Sequence, residues 1–413
     1  KGRRLKAPKM KTTVLTVIFI IGGLGLTNNV LSQDTTLTMQ QAIDRAKENY
    51  PSLKAASLEV ERQKALKATA YDLGTTSIYT GKEEVGNGSV GVQNQLGVAQ
   101  ADIDVFGISA KNRLNKSQTQ LAISNQILTE RILIRDVSIA WYNAVSAKKQ
   151  WQLYIQLDSI YADFLKAAEL RFSTQQTSKV EYLSASAKYQ ELVVNMKQAE
   201  SEFNASLQIL NQYLMFPSAI GVDETVPEES SDILSVQPSD SLGTVPLIDF
   251  YKKQVDVSET AWKAEQSNYL PNLDLGYSIQ TVDGRSGFLG WEAGISLPLL
   301  FFSQKGKTQA AKINYEIAGQ DFRQKELELN ATYKELISRD TTMLEVLDYY
   351  SNEALPLASE QIDAANLGYK LGNLDYIQFI QNVESAIKTR QEYLFNLSEY
   401  YIIKEQLEYI SGK

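Results

Sequence analysis

The sequence predicts a mainly α-helical protein with two pairs of β-strands, built from one unit that occurs twice. Three observations lead to this fold class. Apolar residues recur every seventh position along stretches that contain almost no proline. Two shorter stretches alternate between apolar and polar residues, and the two halves of the chain match at a nearly constant offset. A sustained seven-residue repeat predicts coiled-coil hairpins, whereas alternation is typical of strands with two different faces.

The composition excludes several classes of function. The chain has 413 residues, of which 43% are hydrophobic and 22% charged, which is typical of a folded protein. Cysteine and histidine are both absent, which excludes disulfides, cysteine metal sites and Cys/His or Ser/His catalysis. We therefore predict neither a metal nor a cofactor.

The N-terminus has the pattern of a secretory signal. Six basic residues precede an apolar core at 13–26, and Val30-Leu31-Ser32 resembles a cleavage site. We predict a signal peptide at 1–32, with an uncleaved anchor as the alternative. Without it the chain carries 35 Lys+Arg against 49 Asp+Glu, a net charge of −14. An exported acidic protein is a poor nucleic-acid binder.

The first structural repeat is predicted at 33–214. Thr38 and Gln41 form a capping-box pattern at a helix start, and a second short helix follows Pro51. Strands are expected over about 75–106, the clearest at 95–105. A hairpin of two helices then covers 107–214, and its first helix has ~64 residues, or roughly 96 Å. The second helix carries a heptad row of apolar residues: Tyr182, Tyr189, Met196, Phe203 and Leu210.

The second repeat is predicted at 243–413, after an acidic, proline-containing linker at 215–242. It starts with a helix at about 246–268, followed by two alternating strands over about 272–300. A second long hairpin then covers 303–412, with its turn at 369–375. The closing helix again carries a heptad row: Phe379, Ala386, Tyr393, Tyr400 and Leu407.

The two heptad rows are related by one offset. Adding 197 to each residue of the first row gives the second, and the same shift relates Phe172 to Tyr369. At the start of the two long helices the offset is 196, which relates Phe106 to Phe302. The chain is therefore predicted to be an internal duplication.

The alternating strands predict a membrane-type sheet rather than a soluble one, although an ordinary sheet with one face on a core is the alternative. Tyr277, Trp291 and Ile295 lie among the apolar positions and are candidates for contact with lipid. Four strands cannot close around a lumen, and open edges are not tolerated in lipid. Several copies must therefore pool their strands. Candidate pore-lining carboxylates stand on the polar positions and predict a mild preference for cations: Asp102, Asp104, Asp274 and Glu292.

Four short segments, at 37–53, 294–299, 355–358 and 369–372, occur in an order that resembles the TolC family of bacterial outer-membrane efflux proteins. The resemblance implies a homotrimer, with a twelve-stranded β-barrel in outer-membrane lipid and a long α-helical barrel across the periplasm of a Gram-negative bacterium. It also implies a passive exit duct for efflux or type I secretion, which docks a periplasmic adaptor protein and an inner-membrane pump. The resemblance further implies that the linker at 215–242 lies on the outside of the α-helical barrel, on a belt around its middle called the equatorial belt. The stretch 290–312 is most similar to the heavy-metal (CusC/CzcC-type) branch.

In that family a tyrosine, an arginine and two aspartates close the periplasmic end. Tyr369 matches the tyrosine, but the arginine position is Leu374 and the aspartate positions are Gln378 and Gln381. The resemblance therefore implies a gate that lacks the charged latch and depends on neutral hydrogen bonds. Opening that depends little on salt and pH is the expected consequence. The alternative is that these are ordinary surface residues of a coiled-coil turn.

Two other classes of function are weighed against the channel. An enzyme would need convergent catalytic groups, and the strand carboxylates are the only candidates for a glycosidase-like pair. We therefore predict that the protein is not an enzyme. A periplasmic coiled-coil adaptor or adhesin-like structural protein without a pore would explain the heptads. It would not explain the alternating strands that lead into each long helix.

Overall fold

The computed structural model describes residues 35–86, 91–217, 219–223, 245–297 and 301–412. The predicted signal peptide at 1–32 lies outside these residues, as does most of the predicted linker at 215–242.

The described residues form eight α-helices. The first half begins with two short helices and continues with two long ones that form a hairpin: α1 Met39–Asn49, α2 Pro51–Leu66, α3 Ile108–Ser173 and α4 Lys179–Leu214. The second half has one short helix, a long arm in two parts, and a closing helix: α5 Pro246–Ser267, α6 Phe302–Tyr349, α7 Leu355–Lys370 and α8 Tyr376–Ser411. Because the order helix, strand, strand, long helix, helix occurs twice, the predicted fold class is confirmed for the protomer.

The helix starts follow the capping signals in the sequence. The Thr38 side chain accepts from the Gln41 backbone, and the Gln41 side chain accepts from the Thr38 backbone, so the predicted capping box forms. Asp375 and Gln378 make the same reciprocal pair at the start of α8. These pairs satisfy backbone N–H groups that have no partner inside the helix.

Four strands of 11 to 13 residues each form one antiparallel sheet: β2 Thr75–Val85, β3 Gly91–Ile103, β5 Asn272–Val282 and β6 Arg285–Ser296. Their order across the sheet is β2-β3-β5-β6. The central pairing of β3 with β5 joins the two halves of the chain, and β2 and β6 are left as the edges.

The predicted linker begins with ordered structure. A short strand, β4 Ile220–Val222, pairs in parallel with β1 Thr35–Leu37. Val222 and Leu37 are buried in the same cluster as Trp141 of α3. The sequence did not predict this pair, since three-residue strands carry too little periodicity to be seen. The start of the linker is thus anchored to the helices of the first half.

The core is distributed along the hairpins in separate clusters. One surrounds Trp141 and Leu210 near the β1–β4 pair. A second joins α6 to α8 through Leu336 and Leu407. A third lies near the hairpin turns and joins the first hairpin to the second through Phe164 and Phe379. The predicted heptad residues thus serve as helix-packing positions.

The second long arm differs from its prediction as a single helix. Between α6 and α7 the chain makes a π turn at Tyr350–Ala354, whereas α3 is one continuous helix of 66 residues. No helix among the described residues is long and apolar enough to cross a membrane.

Candidate functional site

One face of the sheet is an exposed apolar surface. Tyr277 lies directly opposite Trp291, and Leu273 lies opposite Ile295. The lipid-contact candidates Tyr277, Trp291 and Ile295 are 51%, 82% and 64% exposed. Ile78 on edge strand β2 lies in the same row across the sheet and is 76% exposed. A monomer leaves this face open, so it requires an apolar environment or partner.

The opposite face of the sheet is polar and glycine-rich. Asp274 lies opposite Gly294, and Glu292 lies opposite Gly276. Alternation therefore places these two candidate carboxylates on one face. Asp274 accepts hydrogen bonds from the Ser296 hydroxyl and from the Asp102 backbone N–H, the latter at 2.8 Å. Glu292 is exposed on the same face.

Asp102 lies in a β-bulge. The pairing between β3 and β5 shifts between Gln100 and Ile103, and Asp102 has a φ of 60°. Before the bulge, even-numbered residues such as Val98 share the apolar face with Tyr277, and after it Ile103 lies opposite Leu273. The predicted regular alternation over 95–105 is therefore wrong, because the bulge adds one residue and changes the parity.

Gln100 therefore lies opposite Leu275 on the apolar face, whereas a regular alternation in phase with Asp102 would place it on the polar face. Its amide donates to the Leu73 carbonyl at 2.7 Å, and its side-chain oxygen accepts from Thr76. A hydrogen-bonded amide is tolerated at this position because its polar atoms are satisfied.

Asp104 lies beyond the end of β3 and is not on a strand face. Its carboxylate accepts from the Gly107 N–H at 2.6 Å and pairs with Lys111 at 2.9 Å. These contacts place it at the N-terminus of α3, where a carboxylate compensates the helix dipole. The structure therefore corrects its assignment to the polar row.

The two hairpin tips meet at Tyr369, the predicted gate tyrosine. Its side chain is buried, and its ring lies 5.0 Å from Phe164 and 5.1 Å from Phe379. The hydroxyl donates to Glu181 Oε1 at 2.7 Å. Because Glu181 lies in the first turn of α4 and Tyr369 in the last turn of α7, this bond joins the first hairpin to the second.

Glu181 is part of a charged cluster that the sequence did not predict. Arg171 lies 3.5 Å from Glu181 Oε1, and its guanidinium lies 5.1 Å from the centre of the Tyr369 ring. Thr177 donates to the other carboxylate oxygen. Burial, and then the hydrogen bond to Glu181, raises the pKa of Tyr369 above its ordinary value. Charge is therefore present at this contact, contrary to the predicted neutral set.

The remaining gate candidates have other contacts. Gln378 forms the cap of α8 with Asp375. Gln381 is exposed, and Leu374 packs against the apolar cluster at the tips. Glu181 escaped prediction because it stands three residues after Ser178, the spacing of a capping box. The Glu181 backbone N–H does donate to Ser178, but its carboxylate turns to Tyr369 instead of back to the cap.

Solved structures share the overall fold of this chain. No protein-family model and no curated protein matches the chain. Among solved structures, CusC, described for its transmembrane channel formation, matches with a TM-score of 0.77 and 15% identity over 90% of this chain and 91% of its own. The outer-membrane protein VceC of Vibrio cholerae gives 0.76 and 13% over 91% and 96%. The open state of the Neisseria gonorrhoeae MtrE outer-membrane channel gives 0.71 and 15% over 90% and 88%. The chain therefore has the fold of these outer-membrane proteins.

Proposed function

We propose that this protein is an outer-membrane exit duct of the TolC type, a passive conduit that spans the outer membrane and the periplasm. The observation that carries the proposal is the four-stranded sheet with one exposed apolar face and two open edges. Strands of 11 to 13 residues are long enough to cross a bilayer when tilted. On a chain with a predicted signal peptide, outer-membrane lipid is the environment that would satisfy an exposed apolar sheet.

The open edges support an oligomer. In lipid the N–H and C=O groups of β2 and β6 must pair with other strands. Pairing β6 of one copy with β2 of the next satisfies both edges and closes a barrel. Three copies give twelve strands, the number expected from the TolC resemblance, and place three helical hairpin pairs beneath the barrel.

The long hairpins support a periplasmic duct. The described length of α3 is 66 residues, about 100 Å at 1.5 Å per residue. A periplasmic adaptor and an inner-membrane pump would dock at the hairpin tips, next to Tyr369 and Glu181. The structural neighbours include CusC and several other channels at similar identities, so assignment to the heavy-metal branch stays a prediction.

Crosslinking between edge strands tests the proposal. The chain has no cysteine, so introduced pairs are the sole source of disulfides. A cysteine at Trp291 on β6 is combined with one at position 76, 78 or 80 on β2, in outer membranes from cells that export the full chain. We expect covalent trimers that require detergent for extraction and form channels in planar bilayers.

A matched control uses the central strands. Val98 and Tyr277 are paired within one chain, so Val98→Cys with Tyr277→Cys should give crosslinked monomers. Protein that is soluble without detergent after export, with no edge crosslinks, would instead support the periplasmic adaptor or adhesin.

A further inference from the structure

The two long arms of the duplication differ by one residue, and burial locates the difference. In the part of each arm nearer to the strands, buried positions of α3 map onto buried positions of α6 at an offset of 196. The pairs are Ala122 with Ala318, Leu133 with Leu329, Val137 with Tyr333, Ala140 with Leu336, and Ala144 with Asp340. Near the tips the offset is 197. Those pairs are Leu157 with Ala354, Tyr161 with Ala358, and Ala168 with Ala365.

The change in offset therefore falls between Asp340 and Ala354. The π turn at Tyr350–Ala354 lies within this interval. A π turn contains one residue more than the α-helical turn that it replaces, and it leaves the packing faces on both sides in phase. The extra residue of the second repeat is thus housed in this turn.

Pro356 explains why the wide turn is stable. A proline inside an α-helix lacks the N–H that would bond to the carbonyl four residues earlier, and its ring clashes with that carbonyl. Here the carbonyl belongs to Asn352, inside the π turn. At an offset of 197 the first repeat has Ser159, and α3 continues through it without interruption.

One tether crosses the π turn to the neighbouring helix. The Tyr350 hydroxyl donates to Glu392 Oε2 on α8 at 3.0 Å. Before the π turn in the chain, α6 packs on α8 through Leu336 and Leu407. After the turn, α7 packs on α8 through small residues, including Ala358 against Ala386. The turn thus separates two packed segments of one arm.

We propose that the π turn is a pivot, and that Tyr350 and Glu392 are positioning residues that set its bend. This proposal rests on the proposed channel function. The arm below the pivot is α7, whose 16 residues span about 24 Å. A bend of about 20°, the size of a kink at a π turn, moves the Tyr369 end by about 8 Å. The first hairpin, which has no such turn in α3, would remain as the fixed partner.

Two variants should change the freedom of α7 to bend relative to α6 in opposite directions. Deleting the exposed residue Ser351 in a chain that also carries Pro356→Ser, the residue of the first repeat at this position, removes both the extra residue and the proline that opposes an α-helical turn. This double change, called the Ser351 deletion, should give a continuous helix. Tyr350→Phe removes the tether and should loosen the turn. Tyr349→Phe is the matched control, since Tyr349 is the neighbouring residue and is 55% exposed.

The readout is the distance between tips in the assembled protein. A spin label on Asn373→Cys in the turn after α7 reports distances among copies in detergent-extracted trimers. In a symmetric trimer, a radial movement of about 8 Å at each tip changes the distance between copies by about 14 Å, so we expect the wild-type distances to cover a range of about 14 Å. The Ser351 deletion should narrow this range, and Tyr350→Phe should widen it relative to Tyr349→Phe. General destabilisation would instead widen the range of distances in both the Ser351 deletion and Tyr350→Phe.

The pivot is overturned if the Ser351 deletion forms trimers with the wild-type range, or if both variants widen it. If the deletion variant does not assemble, Tyr350→Phe decides: a range equal to that of Tyr349→Phe refutes the proposal. A wild-type chain that yields no trimers at all would refute the channel function itself, which the crosslinking experiment tests separately.

Discussion

Replacing Tyr369 with phenylalanine isolates the hydrogen bond by which Tyr369 joins the second hairpin tip to Glu181 of the first. The ring keeps its contacts with Phe164 and Phe379, so the change is confined to the hydroxyl that donates to Glu181 at 2.7 Å. A hydrogen bond to a charged group contributes about 1.5–3 kcal/mol. Because Glu181 keeps its contacts with Arg171 and Thr177, we expect the loss to lie at the lower end of this range of free energies.

A loss of about 1.5 kcal/mol corresponds to roughly a tenfold change in equilibrium for each copy. If separation of the tips opens the duct and copies open singly, the ratio of open to closed channels should rise about tenfold. If three copies open together the factors multiply, to about 1,000-fold. The magnitude thus also measures how strongly the copies are coupled.

Single-channel recording in planar bilayers measures this ratio. The control is Tyr182→Phe, because Tyr182 lies on the same tips and its ring stacks on Phe172. If Tyr369→Phe opens the channel no more than Tyr182→Phe does, the bond to Glu181 does not restrain the tips and the reasoning is refuted.

Further outcomes follow from charge and burial elsewhere. Lys404→Met leaves the buried Asp340 carboxylate without its cation and should cost about 3–5 kcal/mol in urea unfolding, much of which Asp340→Leu in the same chain should restore. Trp291→Arg should lower barrel stability in vesicle refolding by about 2–4 kcal/mol, whereas Glu292→Arg on the opposite face should have a much smaller effect. Reversing charge with Glu292→Lys should shift the reversal potential toward anions, and an unchanged potential would exclude Glu292 from the lumen. Since burial raises the pKa of Tyr369, its contribution should be constant below about pH 10 and fall as pH rises through the raised pKa; an alkaline opening that persists in Tyr369→Phe would contradict this assignment.

The long helices and the four strands of the large sheet could be predicted because each depends on a repeat in the sequence. The heptad row from Phe379 to Leu407 indicates one buried face regardless of what packs against it. Where one extra residue interrupts a repeat, the face on which the following side chains lie was predicted wrongly. The bulge at Asp102 changes the face of every residue beyond it, although the local sequence still alternates.

The tip contact could be predicted only in part, because it joins residues 188 positions apart. Tyr369 was identified from the family resemblance, but its partner Glu181 has a sufficient local explanation as a helix-cap residue. A residue that satisfies a local pattern gives no signal of a distant contact. The loss of the expected charges at Leu374, Gln378 and Gln381 therefore did not mean that the tip lacks charge, since the first hairpin supplies it through Arg171 and Glu181.

This division of roles gives the duplication a mechanical meaning. The first hairpin has an uninterrupted long arm and carries the charged acceptor, Glu181. The second has the interrupted arm and carries the donor, Tyr369. In two identical arms, bending one would disturb the packing of both, whereas a single extra residue in one arm lets its tip move while the other stays straight. The offset that relates the two halves of the sequence rises from 196 near the strands to 197 near the tips because the second half contains that one extra residue.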